Sequence, residues 1–310
     1  MASKLTLPAV IAVAGYSVLG IVQIFNLPLA ILAIGGLVIL LSDNRKLLGL
    51  LCGTGCLIVS YLLGAVMLMI EALVLVVLPA LIITISIKAN RQAVFTVTAA
   101  AIPMLILIAV LYLQVGDPVA YYDQIAPELT RDFTEMSQSL QLQDKLKLSD
   151  SDFESYQEMY LDIIKQLMRF LPALLLISIT IIASAAYILT GRAFQREGRY
   201  LLKFPRLINW KLDERLLIIF GLALVAALSA HGLLLNLGEN AALYIAFLLS
   251  LCGFSLIEFH MRQKKLGMFV RLAVYFCLML FHIYSGILTA ILGVIDSHFD
   301  FRKLRALRLG

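Results

Sequence analysis

The sequence has few charged residues and an excess of apolar ones. Only 15% of its 310 residues are charged and 61% are hydrophobic, whereas soluble domains have about 25% charged residues. So much apolar surface cannot be hidden inside one soluble globule, and lipid must be its main solvent. The apolar runs are long and do not alternate with polar residues, so they predict membrane-spanning helices rather than barrel strands.

The sequence also lacks the signatures of catalysis and of cofactor binding. It has no phosphate-binding loop, no His-Glu-x-x-His, no Gly-x-Ser-x-Gly and no dinucleotide fingerprint. The four cysteines lie inside apolar runs and do not have the spacing of a zinc site: Cys52, Cys56, Cys252 and Cys277. We therefore expect no enzyme activity, no catalytic residue, no metal site and no cofactor.

The charges that are present predict how the chain is oriented in the membrane. The formal net charge is +5, but the basic residues lie in short loops beside apolar runs, so we expect lipid rather than nucleic acid as the partner. Segment 116–167 is strongly acidic, whereas the connector 191–215 is basic. By the positive-inside rule, segment 116–167 is predicted to be extracytoplasmic and the N-terminus cytoplasmic.

The apolar runs predict an all-α, polytopic bundle of about eight or nine spans. Its predicted parts are an N-terminal bundle of about five spans (1–115), an acidic extracytoplasmic helical hairpin (116–167), and a C-terminal bundle with a basic cytoplasmic connector (168–310). Tight outer turns are predicted at residues 26–28 and 236–240, because Asn, Gly and Pro interrupt the apolar pattern there.

Two further features of the apolar runs affect the span count. The run 47–87 is long enough for two spans with a bend near Gly64, and Pro103 should kink the span 93–115. The last run, 266–295, is longer than one ordinary span and too short for two. A single long crossing and a bent or re-entrant pair near Gly286 both fit, and we favour the single crossing.

Two amphipathic helices are predicted within the acidic segment. Apolar residues recur there at spacings of three and four: Tyr122, Ile125, Leu129, Phe133, Met136 and Leu140 in the first, and Phe153, Tyr156, Tyr160, Ile163 and Leu167 in the second. Pro127 suits an early turn of the first helix, and Ser151 with Glu154 fits a capping box for the second. The apolar stripes either pack on each other or receive a partner.

Polar residues near the outer ends of the spans are the candidate contacts for a small-molecule ligand. Ionisable groups at membrane depth are costly and often functional, which singles out Glu71 and His231, and we add Glu239 and Asn240 beside them. The simpler interpretations are an interfacial carboxylate for Glu71 and an interhelical hydrogen bond for His231. Asp296, at the end of the last run, is our preferred place for a functional contact.

Several motifs carry a resemblance to a known family. They are Leu171-Pro172-Ala173, Asn209-Trp210-Lys211-Leu212-Asp213-Glu214-Arg215, Asn240, Gly253, Gly293-Val294-Ile295-Asp296 and Phe299-Asp300-Phe301-Arg302. Together they resemble the YybS-like family of bacterial membrane proteins of unknown function. The family-marking positions are Trp210, Asp213, Arg215, Asn240, Asp296, Asp300 and Arg302.

The resemblance implies a bacterial inner (cytoplasmic) membrane protein with one of two kinds of function. The family is distantly similar to the substrate-binding membrane subunits of vitamin transporters and to the cell-shape protein MreD. The first similarity implies a substrate-binding component of a small-molecule transport system, which we favour. The second implies a non-catalytic scaffold that holds a membrane or cytoplasmic protein partner.

Overall fold

The fold is all-helical, as predicted. The computed structural model describes residues 6–19, 23–42, 46–91, 93–116, 118–140, 149–198, 212–299 and 301–302, and no strand occurs among them. The helices are α1 (Thr6–Leu19), α2 (Gln23–Ser42), α3 (Lys46–Ala72), α4 (Leu78–Lys88), α5 (Ala93–Ala100), α6 (Ile102–Val115), α7 (Pro118–Leu140), α8 (Asp150–Arg196), α9 (Glu214–Ser229), α10 (Leu233–Gln263), α11 (Met268–Leu280) and α12 (His282–Phe299). A π-helical turn, Leu73–Val77, joins α3 to α4.

The contacts divide the chain into two compact units. The first unit contains residues 1–107, 175–213 and 247–310, and the second contains residues 108–174 and 214–246. Helices α6, α8 and α10 contribute to both units. The three-part division by composition, at residues 115/116 and 167/168, stays a prediction.

The predicted number of eight or nine spans is not confirmed. By length and hydropathy, five helical segments within the described residues can cross a membrane, or up to six if α11 and α12 together form one span. Part of the difference lies in α1 and α9, which have 14 and 16 residues. Both are shorter than the roughly 20 residues that a full crossing needs.

The core of the first unit is built around α2. Ile34, Leu37 and Val38 are buried there together with Ile83 of α4 and Ala183 of α8. Small residues allow the helices to approach closely, as is usual in membrane proteins. The core therefore joins segments that are far apart in the sequence.

The predicted bend near Gly64 agrees with the contacts of the same unit. A Cβ placed on Gly53 would lie 4.0 Å from Val77 Cγ1, whereas a straight helix would separate the two residues by about 36 Å. The chain therefore reverses direction between them, and the span candidates Lys46–Leu63 and Val66–Lys88 lie on either side of residues 64–65. The predicted kink at Pro103 corresponds to a break at Ala101 between α5 and α6.

The two predicted outer turns are wrong in position. Residues 26–28 lie inside α2, because a membrane helix tolerates a proline such as Pro28. Residues 236–240 lie inside α10, and the turn falls earlier, at Gly232, whose φ of +60° suits glycine. Gly238 serves packing instead, because a Cβ there would lie 2.7 Å from the backbone nitrogen of Ala227 in α9.

The predicted start of α8 is displaced by two residues. Ser149 and Asp152 form the capping pair: Asp152 N–H donates to Ser149 Oγ at 3.2 Å, and Ser149 N–H donates to Asp152 Oδ2 at 3.4 Å. This reciprocal pattern is the one that was predicted for Ser151 and Glu154. Helix α7 also begins earlier than predicted, at Pro118, which leaves Pro127 in its interior.

The last apolar run forms two helices rather than one. Helices α11 and α12 are bent by 112°, and the break lies at Phe281, not at Gly286. The hydroxyl of Ser285 donates to the carbonyl of Leu278 at 2.5 Å and so satisfies an acceptor freed at the break. This geometry suits either a broken span or a re-entrant pair.

Candidate functional site

An open cleft of about 950 Å³ lies along α8 in the second unit. Most of its lining comes from residues 155–174 of α8, with Tyr122 from α7 and Leu243 from α10. Small-molecule sites in proteins have volumes of roughly 300–1,000 Å³. The cleft is therefore large enough for a ligand of that class.

Helix α8 is much longer than a membrane is thick, and this places the cleft at a boundary. Its 47 residues form a helix about 70 Å long, whereas the hydrocarbon core is about 30 Å thick. The uncharged stretch 170–191 accounts for about 33 Å. Arg169 therefore marks one edge of the hydrocarbon region, and the preceding residues of α8 extend beyond it.

The lining of the cleft changes from polar to apolar across this edge. The part beyond the hydrocarbon region carries the charged side chains of Glu158, Asp162 and Lys165, whereas Phe170 and Leu174 lie at hydrocarbon depth. A ligand with one polar and one apolar part would match both halves.

Helix α7 packs against the extramembrane part of α8 through aromatic side chains. The Phe133 ring lies 5.7 Å from that of Phe153 and 4.8 Å from that of Tyr160. Tyr122 donates its hydroxyl to the carbonyl of Leu161 at 3.1 Å. Some of the predicted apolar stripe residues thus meet each other, whereas others, such as Ile163, remain exposed and line the cleft.

Asn240 of α10 inserts its amide into the hydrogen-bond ladder of α8. The N–H of Ala173 donates to Asn240 Oδ1 at 2.9 Å, and Asn240 Nδ2 donates to the carbonyl of Arg169 at 2.8 Å. In a regular helix, Ala173 N–H would donate directly to the Arg169 carbonyl. The neighbouring Pro172 has no N–H to donate, so the asparagine satisfies backbone groups at a weak point of α8.

An ion pair strengthens the same junction. Arg169 Nε donates to Glu239 Oε2 at 2.5 Å, and Arg169 Nη2 donates to the other carboxylate oxygen. Both side chains are less than one third exposed. Bidentate geometry of this kind fixes orientation as well as contributing energy. The start of α10 therefore holds α8 at the edge of the hydrocarbon region, next to the apolar end of the cleft.

The four residues predicted to bind substrate have different surroundings. Glu239 and Asn240 both bind α8, and His231 is exposed in the turn between α9 and α10. Glu71 lies in the first unit, near enough to Tyr16 to interact with it electrostatically. None of the four lines the cleft. Their role as ligand contacts stays a prediction.

The sequence reasoning missed the charged residues that do line the cleft. Glu158 and Asp162 were counted only as part of the acidic segment, although they lie four residues apart and therefore on one face of a helix. Ile163 and Leu167 also line the cleft, but they lie about 140° further round α8 than the two carboxylates. The spacing was visible in the sequence, but the neighbouring helices that wall the cleft were not.

Two glycines of the motifs that carry the family resemblance lie in the first unit, where α10 crosses α12. A Cβ on Gly253 would overlap the carbonyl oxygen of Thr289, and a Cβ on Gly293 would overlap that of Leu249. The hydroxyls of Ser250 and Thr289 also share a hydrogen bond of 2.7 Å. Both glycines are therefore required for the close approach of the two helices.

Asp296 and Arg302 form a buried ion pair beside this crossing. Both side chains are fully buried, and Arg302 Nη2 donates to Asp296 Oδ2. Arg302 Nη1 also donates to Ser255 Oγ of α10, at 2.5 Å. Because a buried charge without a partner is very costly, each member of the pair requires the other.

The remaining family-marking positions have different surroundings. Asp213 and Arg215 are exposed at the start of α9, and Trp210 and Asp300 lie outside the described residues. Glu258 and Arg262, four residues apart on α10, form an ion pair at 2.5 Å. Arg271 and Tyr275 of α11 join it at 3.1 and 3.0 Å, so this carboxylate also holds α11 against α10.

Comparison with known proteins gives one match. The family described as "Predicted membrane protein (DUF2232)" matches residues 5–297. The match confirms the resemblance to an uncharacterised family of polytopic membrane proteins, and it extends through the N-terminal half, where no motif had been found. No curated protein and no solved structure matches the chain.

Proposed function

We propose that this chain, which belongs to the DUF2232 family of predicted membrane proteins, is the substrate-binding component of a small-molecule transport system. The observation that carries the proposal is the cleft along α8. It has the volume of a small-molecule site, and its lining passes from charged groups to apolar groups at the edge of the hydrocarbon region. We propose a binding protein rather than an enzyme, with no cofactor.

We further propose that the protein lies in the cytoplasmic membrane of a bacterium with its N-terminus inside. The excess of acidic residues in segment 116–167 and the basic connector after α8 support this orientation. The cleft would then open to the outside of the cell, where a substrate for uptake arrives.

Native mass spectrometry of the protein, extracted gently from its own membrane, tests the proposal. We expect a stoichiometric small-molecule adduct on the wild type that Leu167→Trp abolishes, because the larger side chain fills the cleft. Leu171→Trp is the matched control. Leu171 lies one turn further along α8, is similarly exposed (45% against 52%) and does not line the cleft.

Two results of this experiment would contradict the proposal. An adduct that survives Leu167→Trp would place the ligand elsewhere and contradict the site. The absence of any adduct from the wild type, when other membrane proteins prepared in the same way retain theirs, would contradict substrate binding itself.

An MreD-like scaffold is the second candidate, and one observation favours it. Met136 of α7 and Tyr156 and Met159 of α8 lie beyond the hydrocarbon region with 44–53% of their surfaces exposed. Such apolar exposure outside lipid is typical of a protein interface. A scaffold would be extracted with a constant protein partner and an empty cleft. Met136→Asp with Tyr156→Asp should then release that partner without changing membrane insertion.

A further inference from the structure

We propose that the ligand of the cleft is a lipophilic cation, held by the carboxylates of Glu158 and Asp162 over the apolar lining of α8. The inference rests on the proposed ligand-binding function and specifies the class of ligand. It follows from which charges in the cleft are already compensated by the protein and which are not.

The two carboxylates create a local excess of negative charge. Glu158 and Asp162 lie four residues apart on α8, so their Cβ atoms are about 5–6 Å apart on one face and the charges repel each other. Neither forms an ion pair with any residue that the structure describes. A cation placed between them would remove the repulsion and gain attraction from both.

Among the described residues of the lining, the only basic side chain is Lys165, and it is already occupied. Lys165 Nζ lies 3.6 Å from Asp123 Oδ1 of α7, and it also lies over the ring of Tyr122, 5.4 Å from the centroid. Its charge is therefore directed towards α7. The acidic surroundings strengthen the preference, because segment 116–167 as a whole carries an excess of acids over bases.

The apolar part of the lining explains why the cation should be lipophilic. Ile163 and Leu167 follow the carboxylates along α8, and Phe170 and Leu174 continue the surface into the hydrocarbon region. A small hydrated cation would leave this surface uncovered. A cation with aromatic or alkyl groups would bury it, with about 25 cal/mol gained for each Å² removed from water.

A pair of ions with the same shape and opposite charge provides the test. We would measure the binding of tetraphenylphosphonium and of tetraphenylborate to the full-length protein in a non-ionic detergent. We expect saturable binding of the cation, weaker binding of the anion, and loss of cation binding in Leu167→Trp. Replacing both carboxylates by amides, Glu158→Gln with Asp162→Asn, should weaken cation binding about tenfold.

The control keeps the net charge equal. Glu128→Gln with Glu154→Gln removes two exposed carboxylates from α7 and α8 that do not line the cleft, and it should leave cation binding within about twofold. This control separates a local contact from the general field of the acidic segment.

Failure of this inference is distinguishable from failure of the proposed function. One such result is that the anion binds as tightly as the cation. Another is that the double amide variant binds the cation unchanged while Leu167→Trp binds neither ion. In either case the cleft binds ligands without selecting a cation. That result overturns the inference and leaves the proposed function standing. If neither ion binds and no native adduct is found, the proposed function itself is overturned.

Discussion

The inserted amide of Asn240 allows us to predict which of two substitutions lowers the stability of the protein more. Asn240→Ala removes the whole amide, whereas Asn240→Asp keeps its shape but replaces the donor by an oxygen. Because Asn240 Nδ2 donates to the carbonyls of Arg169 and of Asn236, both at 2.8 Å, an ionised aspartate would direct negative charge at two acceptors. We therefore expect the conservative change to be the more damaging one.

The magnitudes follow from the hydrogen bonds. Interhelical hydrogen bonds in membrane proteins contribute about 0.6 kcal/mol each, so the two bonds of Asn240 to α8 contribute about 1 kcal/mol. The third bond, to the Asn236 carbonyl, lies within α10. In Asn240→Ala, the N–H of Ala173 can return to the Arg169 carbonyl as in a regular helix, which limits the loss to about 1–2 kcal/mol. In Asn240→Asp, a buried charge without a partner costs about 3–5 kcal/mol.

A denaturing-detergent titration of the purified variants, followed by circular dichroism, measures this order. Ser229→Ala is the control. That exposed hydroxyl donates to the Val225 carbonyl of its own helix at 2.6 Å, so its loss should change stability by less than about 0.5 kcal/mol. If Asn240→Asp is as stable as the wild type, or more stable than Asn240→Ala, the amide does not bridge the two backbone groups.

Two further predictions concern the crossing of α10 and α12 and use the same titration. Gly253→Ala should lower the free energy of unfolding by about 1–3 kcal/mol because the methyl group overlaps the Thr289 carbonyl. Gly55 has open space around it, so Gly55→Ala should be neutral or slightly stabilising. Equal effects of the two substitutions would contradict the close approach of α10 and α12. Asp296→Asn should cost about 3–5 kcal/mol because it removes the carboxylate charge that faces buried Arg302, and adding Arg302→Met should recover most of that loss. A double variant as unstable as the single one would exclude the buried pair.

The local features that could be predicted are those that depend on neighbouring residues. The amphipathic period of segment 116–167 predicted the apolar faces that carry Phe133 in α7 and Phe153 and Tyr160 in α8. The spacing of four between Glu258 and Arg262 likewise suits the ion pair that they form. In each case a helical repeat places residues three or four apart on one face. No partner from another part of the chain has to be known.

The predicted turn at residues 236–240 is wrong because glycine and asparagine each have two structural roles. Gly238 and the asparagines around it were interpreted as a turn, yet Gly238 packs against α9 and Asn240 bonds to α8. Glycine and asparagine favour turns, but they also permit close helix packing and interhelical hydrogen bonds in membranes. Only the position of the neighbouring helix distinguishes the two roles.

Hydropathy and periodicity by themselves determined that this protein is helical and membrane-embedded, with an amphipathic acidic segment outside the hydrocarbon region. These properties follow from the cost of placing polar groups in lipid, which acts on each segment independently. The tertiary structure alone decided that Asn240 completes the backbone of α8, that Arg302 returns to Asp296 and Ser255, and that Glu158 and Asp162 line a cleft. Each depends on residues distant in sequence, whose approach is set by the packing of whole helices rather than by any local pattern.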